Sequence, residues 1–254
     1  MGRGQLLVSC HGCHWYLRVA DGRRYRLPAA TERVTIREDD VSEGGSLSPD
    51  GRWLVVPTVA DHYFEYAYRD LLGATVRVSG LPLAWSPDGR YVVTQTMDQL
   101  IRRIDLESGA EVPLGGPGRI DGVLPTGEVL LLRPSTITVL DPATDRRREV
   151  TPGATAQPQW FGLATSRDGR EVALLTGRAG QLTIVRFALA DGHPLGRLPL
   201  AQSEVPHGYG LDGALLVCTS TDLVRIDPVT GQRTVLTHVP PGVDFRPRGL
   251  ANVR

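Results

Sequence analysis

A glycine followed by a short apolar run recurs along this 254-residue chain, and no other feature constrains the fold as strongly. The copies begin at Gly4, Gly51, Gly89, Gly127, Gly169 and Gly213, as in Gly51-Arg52-Trp53-Leu54-Val55-Val56 and Gly169-Arg170-Glu171-Val172-Ala173-Leu174-Leu175, with a weaker seventh at Gly249-Leu250-Ala251. Their spacing averages about 41 residues. Ser48-Pro49-Asp50-Gly51 and Ser86-Pro87-Asp88-Gly89 explain the glycine. Proline presets the second position of a type I turn, and glycine then takes the left-handed conformation that side chains resist. Ser166-Arg167-Asp168-Gly169 and Leu211-Asp212-Gly213 keep the Asp-Gly, and Pro125-Thr126-Gly127 keeps the glycine. A second turn follows each copy, as at Asp105–Gly109, Asp141–Asp145 and Asp227–Gly231, where an Asp carboxylate can accept backbone N–H groups two residues ahead. Between the turns lie segments of strand character such as 136–140 and 182–187. Regularly spaced short strands without a helical period give an all-β chain.

The period suits a four-stranded propeller blade. In the third repeat 82–85 is the inner strand and 111–114 the outer one. Residues 4–27 supply only the second to fourth strands of such a unit, five full units follow from about 44 to 237, and 243–247 supplies a lone first strand. The expected fold is therefore an all-β, six-bladed β-propeller of four-stranded antiparallel blades. It occupies 1–254 as one domain and is closed by the C-terminal strand joining the N-terminal blade, which removes two open edges.

Trp85-Ser86-Pro87-Asp88-Gly89-Arg90-Tyr91-Val92-Val93, with partial copies at 48–56 and 166–175, resembles the TolB-type, WD40-like β-propeller repeat family over essentially the whole chain. It departs from true WD40 repeats, because Ile104-Asp105, Leu140-Asp141 and Ile226-Asp227 stand where a Trp-Asp end would be, so that family's His–Asp network is not expected. The resemblance implies a fold and, by analogy, a protein-binding role. It does not imply an activity, since propellers host many functions.

Charge narrows the function. Twenty-eight arginines, no lysine and 28 acidic residues give a formal net charge of zero, which excludes a nucleic-acid binder driven by bulk charge. The longest apolar run, Val129–Leu132, is far short of a membrane span. No secretory signal is visible, so a cytoplasmic location is expected. The chain begins directly on a strand, and an anchor ahead of Met1 would instead make it extracytoplasmic.

Several motifs carry possible chemistry. Cys10-His11-Gly12-Cys13-His14 has the spacing for covalent c-type haem and enough donors for zinc. It falls in a hairpin turn, with only Met1 and Met97 as further axial ligands and no second Cys/His pair nearby, so a turn without ligand is the expectation. Cys218 aligns with Ser9 on a strand and reads as a small core residue. There is no G-x-S-x-G elbow. Asp121, Glu204, His207 and Asp244 lie on or just before inner strands and are the candidates for a channel metal. The acidic stretch Glu38–Glu43 lacks the EF-hand spacing and reads as a solvated loop. The insertion 61–68 gathers aromatics that suit either a partner patch or strand packing.

The residues expected to rim the channel and bind are Trp160, His207, Tyr209, Phe245 and Arg246, because aromatic and Arg groups are enriched at binding hot spots. No catalytic residue, metal or cofactor is assigned. The expected function is a non-catalytic, monomeric scaffold for protein partners or a ligand, without nucleic acid or a membrane span. The alternative is a small-molecule hydrolase or lactonase using a metal at the central channel.

Overall fold

The computed structural model describes residues 4–9, 16–19, 23–26, 46–58, 65–96, 98–114, 120–153, 160–178, 181–201, 203–209, 213–219, 221–238 and 246–250. The first strands are β1 (Gly4–Ser9), β2 (Tyr16–Val19) and β3 (Arg24–Arg26). A second sheet follows with β4 (Ser46–Leu47), β5 (Trp53–Pro57), β6 (Tyr66–Asp70) and β7 (Val76–Ser79). The third has β8 (Leu81–Trp85), β9 (Tyr91–Gln95), β10 (Ile101–Asp105) and β11 (Glu111–Pro113), and the fourth has β12 (Ile120–Val123), β13 (Val129–Leu132), β14 (Ile137–Asp141) and β15 (Arg146–Val150). The fifth has β16 (Trp160–Thr165), β17 (Glu171–Arg178), β18 (Gln181–Ala188) and β19 (Pro194–Pro199). The sixth has β20 (Val205–Tyr209), β21 (Leu215–Cys218), β22 (Asp222–Ile226) and β23 (Arg233–His238), and β24 (Arg246–Leu250) is the last described strand.

Five four-stranded sheets use consecutive strands, and a further one has the order β24-β1-β2-β3. Every pairing is antiparallel; β24 meets β1 through Leu6 opposite Leu250 and Ser9 opposite Arg246. The protein is thus an all-β propeller of four-stranded antiparallel blades, with no helix among the described residues and none long and apolar enough to cross a membrane. One sequence expectation needs correction. The described part of the lone strand, 246–250, overlaps the expected 243–247 and runs past it, and Gly249 does not open a seventh copy. It sits inside β24, paired with Leu7 at a bulge, so its role is that of a strand glycine rather than a turn glycine.

Sheets stack face to face, and the strand alternation feeds two seams at once. On β17, Val172 and Leu174 join Leu130, Val139 and Phe187 between the fourth and fifth sheets. Ala173 between them turns to Leu215, Val217 and Ile226 of the sixth. On β9, Val92 packs with Trp53 and Tyr68 of the second sheet, while Val93 packs with Val123 and Val129 of the fourth. Because both faces are covered, the apolar runs are continuous instead of alternating.

The turns are wired as their residues require. Ser48 Oγ donates to Asp50 Oδ1 at 2.6 Å and accepts the Trp53 N–H at 2.9 Å, while Asp50 Oδ1 accepts the Arg52 N–H at 3.1 Å. Ser86-Asp88 and Ser166-Asp168 repeat the pattern. Gly51, Gly89, Gly127, Gly169 and Gly213 all have φ between 71° and 87°. In the second turn, Asp105 accepts the Glu107 N–H at 2.9 Å and Asp227 the Val229 N–H at 2.8 Å, and Asp145, with φ 53°, replaces the closing glycine.

The arginine after each Ser-Pro-Asp-Gly ties the two turns together. Arg52 Nη2 donates to Asp70 Oδ2 at 2.8 Å, and Arg90 Nη2 to Asp105 Oδ2 at 2.8 Å. The Arg52 bond holds the Asp70 carboxyl below its ordinary range, against the opposing effect of burial. Burial pushes the Asp105 carboxyl up, but Arg90 and the Ser108 and Glu107 N–H groups more than offset it, so it too lies low. Carboxylates held low in the folded state contribute stability in full above the unfolded value of about 4 and lose it as the pH falls through the folded value. The thermal unfolding midpoint should therefore hold between about pH 7 and 5 and drop below about pH 4, and Arg52→Met should shrink that acid drop.

Neighbouring turns also interlock. A Cβ at Gly89 would lie 2.2 Å from Asp50 Oδ1 of the preceding sheet, an atom already fixed by Ser48 and Arg52, whereas a Cβ at Gly213 would meet nothing within 4 Å. Alanine at either site incurs the left-handed penalty of about 1–2 kcal/mol. Gly89→Ala should cost clearly more than Gly213→Ala in urea unfolding, because it also breaks the seam.

Candidate functional site

The first strands of the sheets meet one another: β24 with β4, β8 with β12, β12 with β16, and β16 with β20. They are the innermost strands and form the wall around the axis. All run in the same sense. Their first residues therefore share the face that carries the sheet-to-sheet connections, and their last residues share the face of the Asp-Gly turns.

Five of these strands carry a β-bulge. The pairing skips Leu83 between Pro82 and Ala84, Asp121 between Ile120 and Gly122, Phe161 between Trp160 and Gly162, His207 between Pro206 and Gly208, and Arg248 between Pro247 and Gly249. A bulged residue leaves the ladder and is re-aimed relative to its neighbours, which is why bulges gather beside binding sites. The bulges thus fall at Leu83, Asp121, Phe161, His207 and Arg248, one on each of five inner strands. Leu83 and Asp121 are half-buried there. Sequence reasoning passed over Leu83, Phe161 and Arg248. The available signal was a residue followed by glycine within an inner strand, as in Asp121-Gly122, Phe161-Gly162, His207-Gly208 and Arg248-Gly249.

Of the five rim candidates, Trp160 and Arg246 open β16 and β24, on the connection face; His207 stands mid-strand on β20; Tyr209 ends β20, toward the turn face. Phe245 lies outside the described residues, as do Cys10, Cys13, His14, the acidic stretch 38–43, Asp244 and residues 61–64 of the aromatic insertion. From Tyr66 onward that insertion is core. Tyr66 and Tyr68 are both buried, Tyr68 Oη donates to the Gly80 carbonyl at 2.7 Å, and its ring lies 6.1 Å from that of Trp85.

Glu204 does not belong to the channel. Its Oε1 accepts Arg233 Nε at 2.9 Å and its Oε2 the Ala201 N–H at 2.8 Å. Arg233 is on β23, the outermost strand of its sheet, and also donates to the Pro199 carbonyl at 3.1 Å. Burial pushes the Glu204 carboxyl up, but Arg233 and the Ala201 N–H outweigh it and leave it below its ordinary value. The residue pins the seam between the fifth and sixth sheets. Among the described residues, no group of three or more His, Cys, Asp or Glu side chains is placed to hold a metal.

Cys218 is a core residue, as its alignment with Ser9 suggests: 4% exposed on β21, with its thiol pushed up to about 12 by burial. A thiol so protonated is a poor nucleophile. In a Cys10→Ser/Cys13→Ser background, Ellman's reagent should leave the folded protein unlabelled at pH 8 and modify one thiol on unfolding; rapid labelling of the folded state would contradict the burial.

No family model matches the sequence, and no curated protein matches it. Solved structures do. TolB from Acinetobacter baumannii superposes with a TM-score of 0.62 at 15% identity, over 98% of this chain and 67% of that one. The β-propeller domain of Myceliophteria thermophila Cps50 (Swd1) gives 0.51 at 16%, over 80% and 73%. Dihydro-heme d1 dehydrogenase NirN in complex with DHE gives 0.50 at 16%, over 91% and 53%. At these identities the likeness is one of fold, and the fold is a TolB- and WD40-like β-propeller.

Proposed function

We propose that the protein is a non-catalytic scaffold that holds a partner protein over the mouth of its channel. On this reading the composite sheet of β24 with β1, β2 and β3 is the sixth blade of a closed, monomeric ring. Trp160 and Arg246 meet the partner on the connection face, with His207 deeper along its strand and Tyr209 toward the turn face; Phe245 belongs to the same set. The observation that carries the reading is the set of bulges on the inner strands, which fall at Asp121, Phe161, His207 and Arg248 on four different sheets of a rigid frame. Such a frame presents dissimilar groups at fixed spacing with little ordering cost on binding. The neighbours include both TolB and a dehydrogenase, so the fold alone does not choose between scaffold and enzyme. The hydrolase alternative loses support because Glu204 is spent on Arg233 and Ala201.

The test uses tagged full-length protein expressed in its own cells. Proteins that co-purify with it should fall at least tenfold with Trp160→Ala/His207→Ala and stay unchanged with Val229→Ser, an exposed position on the turn face. Chelator-sensitive hydrolysis of p-nitrophenyl acetate or of a γ-lactone, lost in His207→Ala, would replace the scaffold reading with the enzymatic one.

A further inference from the structure

A second binding surface lies at the rim of the disc, away from the channel. Arginines of the third, fourth and fifth sheets each reach across a seam to a carbonyl in the next sheet's turn: Arg103 Nη1 to Gly127 O at 2.9 Å, Arg148 Nη1 to Leu189 O at 3.0 Å, and Arg186 Nη1 to Pro228 O at 2.6 Å. Arg77 of the second sheet occupies the register of Arg148, opposite Tyr68 as Arg148 is opposite Val139. It extends in the same way, so that a Cβ on Gly109 would lie 2.3 Å from its Nη1. Yet its guanidinium reaches no carbonyl across the seam among the described residues, and its Nε, like that of Arg103, is buried without a hydrogen-bond partner. A guanidinium N–H shielded from water without an acceptor is costly. Arg77 lines a cavity of about 250 Å³ with Tyr68, Val78, Ser79, Ile104, Leu106 and Glu111. That volume is below the usual range for cofactor sites and suits one or two side chains. Glu111 already pairs with Arg102 at 2.9 Å, which leaves Arg77 as the uncompensated charge.

The strand beside the cavity is open. β7 is the edge of its sheet, and Val76 and Val78 are 55% and 58% exposed. The Asp70 N–H donates to the Thr75 carbonyl at 2.9 Å, an alternation that turns the backbone N–H and C=O of Val76 and Val78 away from β6. Other outer strands are blunted: β11 by Glu111 and Pro113, β15 by Arg146, Arg147 and Glu149, β19 by Pro194 and Pro199, and β23 by a bulge.

We propose that β7 receives an extended, acidic segment of a partner protein as a fifth strand, with one Asp or Glu carboxylate seated on Arg77. A residue of the added strand opposite Arg77 points to the same face, toward the cavity mouth, and its neighbours lie against Val76 and Val78. The carboxylate supplies the acceptor that the next sheet supplies elsewhere. The surface is independent of the channel proposal, and the two are separable by variant.

The probe is a fluorescein-labelled, end-capped hexapeptide, Thr-Val-Glu-Val-Thr-Ile, titrated into the full chain and read by anisotropy. Saturable binding is expected, weakened at least tenfold by Glu to Gln in the peptide, by Arg77→Gln and by Val78→Pro, and unchanged by Trp160→Ala. Arg77→Gln keeps the test decisive if Val78→Pro unfolds. No saturable binding at millimolar peptide, or equal binding of the Glu and Gln peptides, overturns the proposal. So does a sedimenting dimer abolished by Val78→Lys, which would make a second copy of the chain the occupant of this edge.

Discussion

Face-to-face burial of neighbouring sheets is the constraint from which the rest follows. No four-stranded unit here has a core of its own. Val172 and Leu174 of the fifth sheet are buried by the fourth and Ala173 by the sixth, so that sheet depends on two others. The pairing of β24 with β1 adds a sheet built from strands far apart in the sequence.

Polar chemistry then sets the geometry of the seams. Asp50 lies against the turn holding Gly89, Pro125 packs on Gly169, and arginines reach from one sheet to backbone carbonyls of the next. Guanidinium suits this work, since its several N–H groups can serve a carboxylate and a carbonyl together; Arg186 bonds Glu171 in its own sheet and Pro228 across the seam. Against that regularity Arg77 stands out, since among the described residues its guanidinium reaches no carbonyl across the seam, whereas Arg103, whose Nε is equally unmatched, bonds Gly127. A structural pattern carried through the neighbouring seams and left incomplete in one marks a place where the missing group can come from outside.

Much of this was legible in the residues. Ser-Pro-Asp-Gly named its turn because only glycine adopts φ near 72° without penalty, and the Asp carboxylates of the second turn hydrogen-bond as their spacing requires. The core role of Cys218 followed from its alignment with Ser9. Gly249 was misread because a strand glycine at a bulge and a turn glycine before an apolar run look alike in one dimension; only the pairing partner separates them. Glu204 looked like a channel ligand because it precedes an inner strand, and nothing local shows that Arg233, 29 residues on, claims its carboxylate.

Local periodicity therefore established strands, turns and their repetition, since those depend on φ preferences and side-chain alternation within a few residues. The assembly of sheets decided everything that links distant segments: which glycine lies in a bulge, which arginine finds an acceptor, and which acidic side chains are already engaged. Those outcomes depend on distances between parts of the chain tens of residues apart, and no short window of sequence contains them.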